Sequence, residues 1–152
     1  MEEERAAAFD GFVADVEPRL RRALVAKLGF ERGADATAEA LGWAWEHWDR
    51  ATDLEYPVAY LFRVGQSRTR PRRQRRLFEI PSHADPLIEP GLARALERLT
   101  DHQRVAVVLV HGYGWTLREV AELDGVAVTT VQNHLERGLS KLRAALEVRA
   151  DG

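Results

Sequence analysis

The chain has 152 residues, enough for one compact domain or two small helical ones, and its 45% hydrophobic and 30% charged residues mark a folded protein. Cysteine is absent, which excludes disulfides, thiolate metal sites and a cysteine nucleophile, and accords with a cytoplasmic setting. The net charge of −2 is unusual for a free-standing nucleic-acid binder, but it is unevenly spread.

Glu2, Glu3, Glu4, Asp10, Asp15 and Glu17 load the front of the chain. The acidic start and the short longest apolar run, Val105 to Val110, predict neither a secretory signal nor membrane insertion. From about Glu4 to Leu28 the pattern of Phe9, Phe12, Val13, Leu20, Leu24 and Leu28 is helical, with Pro18 expected to open a second piece as its first residue. Gly29 and Gly33 predict a turn, and an Ala-rich helix with Trp43, Trp45 and Trp48 is expected from about Ala34 to Asp49. Arg50 to Tyr56 reads as a polar loop. Pro57 then starts a helix with Val58, Leu61, Phe62 and Val64 facing inward, which Pro71 ends near Arg70. Arg63, Arg68, Arg70, Arg72, Arg73, Arg75 and Arg76 follow one another here with no acid between them, a sequence-independent grip for phosphates. Trp48, Tyr56 and Tyr60 nearby suit stacking on unpaired bases, although tryptophans on such a helix also serve as core.

Composition changes after this. Residues 77–90 hold Pro81, Pro86 and Pro90, show no helical period and read as a flexible linker. Gly91 to Leu99 is a short helix, and Thr100 with Gln103 forms a capping box opening another through Val105, Val108, Leu109 and Val110. Gly112 and Gly114 break that helix. The expected fold is all-α: two small helical domains, 1–76 and 91–148, joined by the 77–90 linker, the second a four-helix domain.

The most informative stretch runs from Trp115 to Leu146. Thr116 and Glu119 make a second capping box, Leu117, Val120, Ala121 and Leu123 an apolar stripe, and Asp124-Gly125 a stop. Val131, Leu135, Leu139, Leu142 and Leu146 then share one face of a following helix, capped by Thr129 with Gln132 or one turn earlier at the backbone. This is a helix-turn-helix layout, in which the second helix enters the major groove by its N-terminal end. Thr130, Gln132, Asn133, Glu136 and Arg137 occupy its outward face, with Lys141 a turn further on. Gln and Asn can bond adenine through both amide groups, and Arg can bond guanine in the same two-pronged way.

Enzymatic chemistry has no comparable support. His47, His83, His102, His111 and His134 fall in separate predicted elements without metal-ligand spacing. A Gly-rich phosphate loop, a nucleophile elbow and paired catalytic carboxylates are all missing. No catalytic role, cofactor, metal or small-molecule substrate is expected.

With these residues in view, the whole chain resembles the extracytoplasmic-function group of bacterial sigma factors, the promoter-recognition subunits of RNA polymerase. The run LERLTDHQRVAVVLVHGYGWTLREVAELDGVAVTTVQNHLERGLSKLR follows that family's second-domain pattern almost throughout. The resemblance implies that the second domain binds the −35 promoter element through Gln132, Asn133, Glu136 and Arg137. It implies that the first docks on the polymerase clamp through Asp35, Glu39 and Trp45, which match a family helix followed by Ala-Trp. It further implies that PVAYLFRVGQSRTRPRRQRR contacts the −10 element and that the loop from Arg50 to Tyr56 holds a flipped-out base. Ala38 stands where the family has Gln, and Ser67 and Pro71 where it has Asn and Asp. Core RNA polymerase and promoter DNA are the implied partners, and an inhibitory anti-sigma factor is a third. Two alternatives stay open: a helix-turn-helix transcriptional regulator, derived from a sigma factor, that no longer supports promoter opening, and an interaction module that sequesters another regulator.

Overall fold

The computed structural model describes residues 1–69, 77–78 and 90–150. Arg70, Pro71, Arg72, Arg73, Arg75 and Arg76, His83 and most of the expected linker lie outside the described residues. By its internal contacts the chain divides into two units, Met1–Pro71 and Arg72–Gly152. Among the described residues all regular structure is helical.

In the first unit, α1 (Glu2–Leu28) is a single helix that continues through Pro18. The expected restart at that proline does not occur. A proline inside a helix leaves the carbonyl four residues back without a donor. Here that residue is Ala14, which is exposed, so water can take the donor's place. Gly29, with φ 89°, reverses the chain in one residue, and α2 (Phe30–Glu46) begins immediately, four residues earlier than its apolar period suggests. Gly33 therefore belongs to α2 and not to a turn. His47 ends α2, and a short α3 (Trp48–Ala51) follows where one helix through Asp49 was expected. The His47 ring stacks on that of Trp43 at 4.7 Å, with its Nδ1 3.0 Å from the Trp43 carbonyl, and this contact marks the break. Pro57 opens α4 (Pro57–Arg68), and the helix stops at Thr69.

These helices pack as a three-helix bundle of α1, α2 and α4. Leu20 and Leu24 of α1 and Leu61 of α4 have no exposed surface, and neither do Ala36, Ala40 and Ala44, which form a four-residue stripe along α2. Small side chains at that spacing let the neighbouring backbones approach. The carbonyl of Ala36 would lie 2.8 Å from a side-chain carbon on Gly65 of α4, and the bundle is therefore tight at its centre.

The second unit contains α5 (Pro90–Glu97), α6 (Asp101–Val107), α7 (Leu117–Asp124) and α8 (Val128–Ala150). Between α6 and α7, Val108–Gly112 form a π-helical turn, so the helix widens before it ends at Gly112, where its glycines were expected to break it. Its core gathers Leu96, Leu99, Val105, Leu109, Trp115, Val120, Leu123 and Val131, all buried. Phe78, expected in the linker, is buried as well, and its N–H donates to Glu97 Oε1 at 3.4 Å. Arg104 is a buried cation in this core: it donates to the Leu99 carbonyl at 3.1 Å and to Asp101 Oδ1 at 2.9 Å.

Candidate nucleic-acid interface

Local chemistry fixes the two helices that would meet DNA. At the start of α7 the Glu119 N–H donates to Thr116 Oγ1 at 3.1 Å, and the Thr116 N–H donates to Glu119 Oε1 at 3.0 Å. Both halves of the expected capping box are thus formed, which satisfies two donors that a helix start leaves open. At the other end Gly125 adopts the left-handed conformation, φ 68° and ψ 37°, and its N–H and that of Val126 both donate to the Ala121 carbonyl. A residue with a Cβ is strained there, whereas glycine is not. The chain thereby turns sharply enough to start α8 at Val128.

The start of α8 differs from one of the two caps expected for it. Thr129 lies inside the helix, and the backbone carbonyl of Ala127 accepts from Thr130 at 3.0 Å and Val131 at 3.2 Å. The helix therefore opens ahead of Thr129, at Val128. Val131 is fully buried against α7, while Leu135, Leu139, Leu142 and Leu146 are half-buried. On the opposite side Gln132, Asn133, Glu136 and Arg137 are exposed, and Thr130 is half-buried at the edge. Four side chains able to address base edges thus stand together on the free face of one rigidly based helix. Lys141 is placed differently. Its Nζ donates to Gln103 Oε1 of α6 at 3.0 Å.

In the first unit, Asp35 and Glu39 are exposed, one turn apart on α2, and Ala38 is exposed beside them. Trp45 is 40% exposed. Its ring meets Phe9 edge-on at 5.0 Å, and the Arg5 guanidinium lies 4.2 Å from its centroid and also donates to its carbonyl. Trp43 is core, as the commoner role of such tryptophans suggests, and carries Tyr60 at 5.1 Å on one flank. Trp48 packs edge-on to Phe9 and Phe12. Of the aromatic residues considered for base stacking, Tyr56 is the most open, at 52% exposure. Arg63 and Arg68 are exposed on α4, Arg68 with its guanidinium 3.9 Å from Glu46, and the Ser67 hydroxyl donates to the Val64 carbonyl. An open cleft of about 320 Å³, lined by Arg5, Glu46, His47, Trp48, Asp49 and Arg50, lies next to the start of the polar loop.

Sequence reasoning missed features that depend on distant partners. His102 and His134 are on different helices, yet folding stacks their rings. Gly138 is buried within α8, and a glycine in mid-helix on the apolar face was a usable signal for close approach.

Comparisons with known proteins bear on both units. Residues 91–142 match the family model for sigma-70, region 4. The "RNA polymerase sigma-E factor" of Streptomyces antibioticus is 32% identical over 130 residues, spanning 76% of this chain and 71% of that protein. Its namesake in Streptomyces avermitilis is 34% identical over 127 residues, with the same shares covered. Among solved structures, the sigma factor RpoE of Bartonella quintana, in complex with the anti-sigma factor NepR, superposes with a TM-score of 0.67 at 20% identity. That match covers 93% of this chain and 98% of the Bartonella one.

Proposed function

The chain belongs to the extracytoplasmic-function group of sigma factors, and on that premise we propose that it binds core RNA polymerase and directs it to promoters by reading two DNA elements with two separate units. The observation that carries this reading is the exposed row Gln132, Asn133, Glu136 and Arg137 on a helix-turn-helix whose α7 capping box and Gly125 turn are formed. These residues, with Thr130, address the −35 element: the amides bond adenine edges, and Arg137 bonds guanine.

The first unit, on the same proposal, docks on the polymerase clamp through Asp35, Glu39 and Trp45, all three of them exposed. Arg63 and Arg68, with Arg70, Arg72 and Arg73 beyond them, grip phosphates near the −10 element. The cleft beside the Arg50–Tyr56 loop, with Trp48, Arg5 and Arg50 in its wall, supports the placement of an unpaired base there. Each unit alone meets few bases. Held together by polymerase, they act at a high effective concentration, and this is how a chain of net charge −2 can select promoters. The chain contributes specificity while the polymerase performs the chemistry, and its place of work is the cytoplasm. Restraint by an anti-sigma protein is part of the same proposal.

A narrower reading, a regulator that binds polymerase or DNA without opening promoters, is favoured by two observations. Ala38 presents a bare methyl group where the family's docking helix has Gln, and the Ser67 hydroxyl is turned back onto its own helix. In vitro transcription with purified core polymerase, on DNA from the chain's own genome, tests the two. New start sites that vanish with Asp35→Arg or Glu39→Arg establish the initiation factor. Co-purification without transcripts favours a polymerase-bound regulator, and no association with polymerase overturns the initiation factor and leaves a DNA-binding or sequestering protein.

A further inference from the structure

Helix α6 meets α8 at three successive points. The His102 ring stacks on that of His134, with centroids 5.0 Å apart and planes 14° apart, and His102 Nδ1 lies 3.6 Å from Asp124 Oδ2 at the end of α7. One turn along α8, a side-chain carbon on Gly138 would lie 2.8 Å from Val107 Cγ2 and 3.3 Å from both Cβ and the carbonyl oxygen of Gln103. Another turn along, Lys141 Nζ donates to Gln103 Oε1 at 3.0 Å. His134, Gly138 and Lys141 are spaced by four and then three residues, so they form one stripe of the helix. Their counterparts have little freedom to shift. Gln103 Oε1 also accepts from the Thr100 N–H at 3.2 Å, and the Gln103 N–H donates to Thr100 Oγ1 at 3.2 Å. The capping box of α6 is therefore also the seat of α8.

We propose that His102 and Gln103 are positioning residues for promoter reading: by holding His134 and Lys141 they set the tilt and depth of α8, and Lys141 serves this clasp rather than a phosphate. The proposal rests on the reading of α8 as the DNA-contacting helix. Two-pronged bonds to a base edge tolerate little displacement, so a helix released at its flank loses discrimination between bases before it loses its attraction to the backbone. A phosphate contact has the opposite signature. Its removal weakens all sequences alike and reduces the salt dependence.

The test uses holoenzyme assembled from the full chain and core polymerase. Its affinity is measured for a promoter fragment on which it initiates, and for the same fragment with its upstream-element bases substituted, across a salt series. His134→Ala, Gln103→Met and Lys141→Met are each expected to reduce the affinity ratio about tenfold with an unchanged salt slope. His134→Phe keeps a flat ring on His102 and is expected to restore the ratio. The double variant of Gln103→Met and Lys141→Met should be no worse than Gln103→Met alone, because both remove the contact between the two helices and only Gln103→Met also removes the Thr100 cap bond. A salt slope reduced by about one in Lys141→Met would put that ammonium on a phosphate and overturn the proposal. Lowered melting temperatures with the ratio intact would also overturn it, by making the contacts structural only. A wild-type holoenzyme that does not distinguish the fragments overturns both the clasp and the reading on which it rests.

Discussion

A side-chain carbon on Gly33 would lie 2.6 Å from the Cα of Val25, so α1 and α2 touch backbone to backbone just after the Gly29 reversal. Alanine at position 33 should gain about 1 kcal/mol of helix propensity and lose more to overpacking, since the two nearest atoms it meets, Val25 Cα and N, are main chain and cannot rotate away. Gly33→Ala is expected to destabilise the first unit by about 1–3 kcal/mol net, which for a unit of this size lowers its melting temperature by roughly 4–8 °C per kcal/mol. Thermal unfolding followed by circular dichroism measures this. Gly42→Ala is the control, because a carbon there meets nothing within 4 Å.

Gly125 acts through conformation instead of space. Its φ of 68° is costly for any residue with a Cβ, so Gly125→Ala should destabilise the second unit by roughly 1–2 kcal/mol. Gly125→Asn should lose less, since asparagine enters the left-handed region more readily. Urea unfolding of the two variants should separate them in midpoint with little change in slope.

Arg104 and Asp101 form an ion pair of very unequal members. The arginine side chain is 3% exposed and the aspartate 59%. Asp101→Asn is expected to change stability by less than about 0.5 kcal/mol, because solvent screens the carboxylate end. Arg104→Met removes the donor to the buried Leu99 carbonyl and should destabilise the second unit by about 2–3 kcal/mol. A loss of similar size in both variants, measured by denaturant unfolding, would contradict this division.

Arg137 and Arg63 are both exposed cations with different proposed tasks. Arg137→Ala should lower the preference for its base by about 1–3 kcal/mol while leaving other positions of the site unaffected. Arg63→Ala should weaken binding to all promoters alike and reduce the salt slope by about 0.9. Competition binding of holoenzyme against a panel of single-base variants distinguishes the two patterns.

The parts of this fold legible in the sequence are those encoded within a few residues. Thr100 with Gln103 and Thr116 with Glu119 close their boxes within one turn, and Asp124-Gly125 ends α7 where its stripe ends. The exposed polar face of α8 is likewise visible from its period alone. The departures arise where a remote partner decides. His47 breaks α2 without a glycine or proline, in contact with Trp43 and in the neighbourhood of Tyr60 from another helix. Gly112 marks the end of the widened turn at Val108–Gly112, but nothing in the apolar period announces the widening itself. Lys141 looked like one more cation for DNA, and only folding reveals Gln103 beside it.

Pro18 divides α1 in a way that its unbroken run of helix conceals. Ahead of it no residue before Val16 is buried, and the front half is anchored by Phe9 and Phe12 against Trp45 and Trp48. Behind it Leu20, Ala23 and Leu24 are sealed in the bundle core. With one rung of the hydrogen-bond ladder missing between these halves, deuterium should enter the front amides through fraying that leaves the core closed. The rear amides should exchange only when α2 and α4 open with them. In geometry α1 is a single helix, but by that pattern of exchange it should open as two, with the proline at the seam.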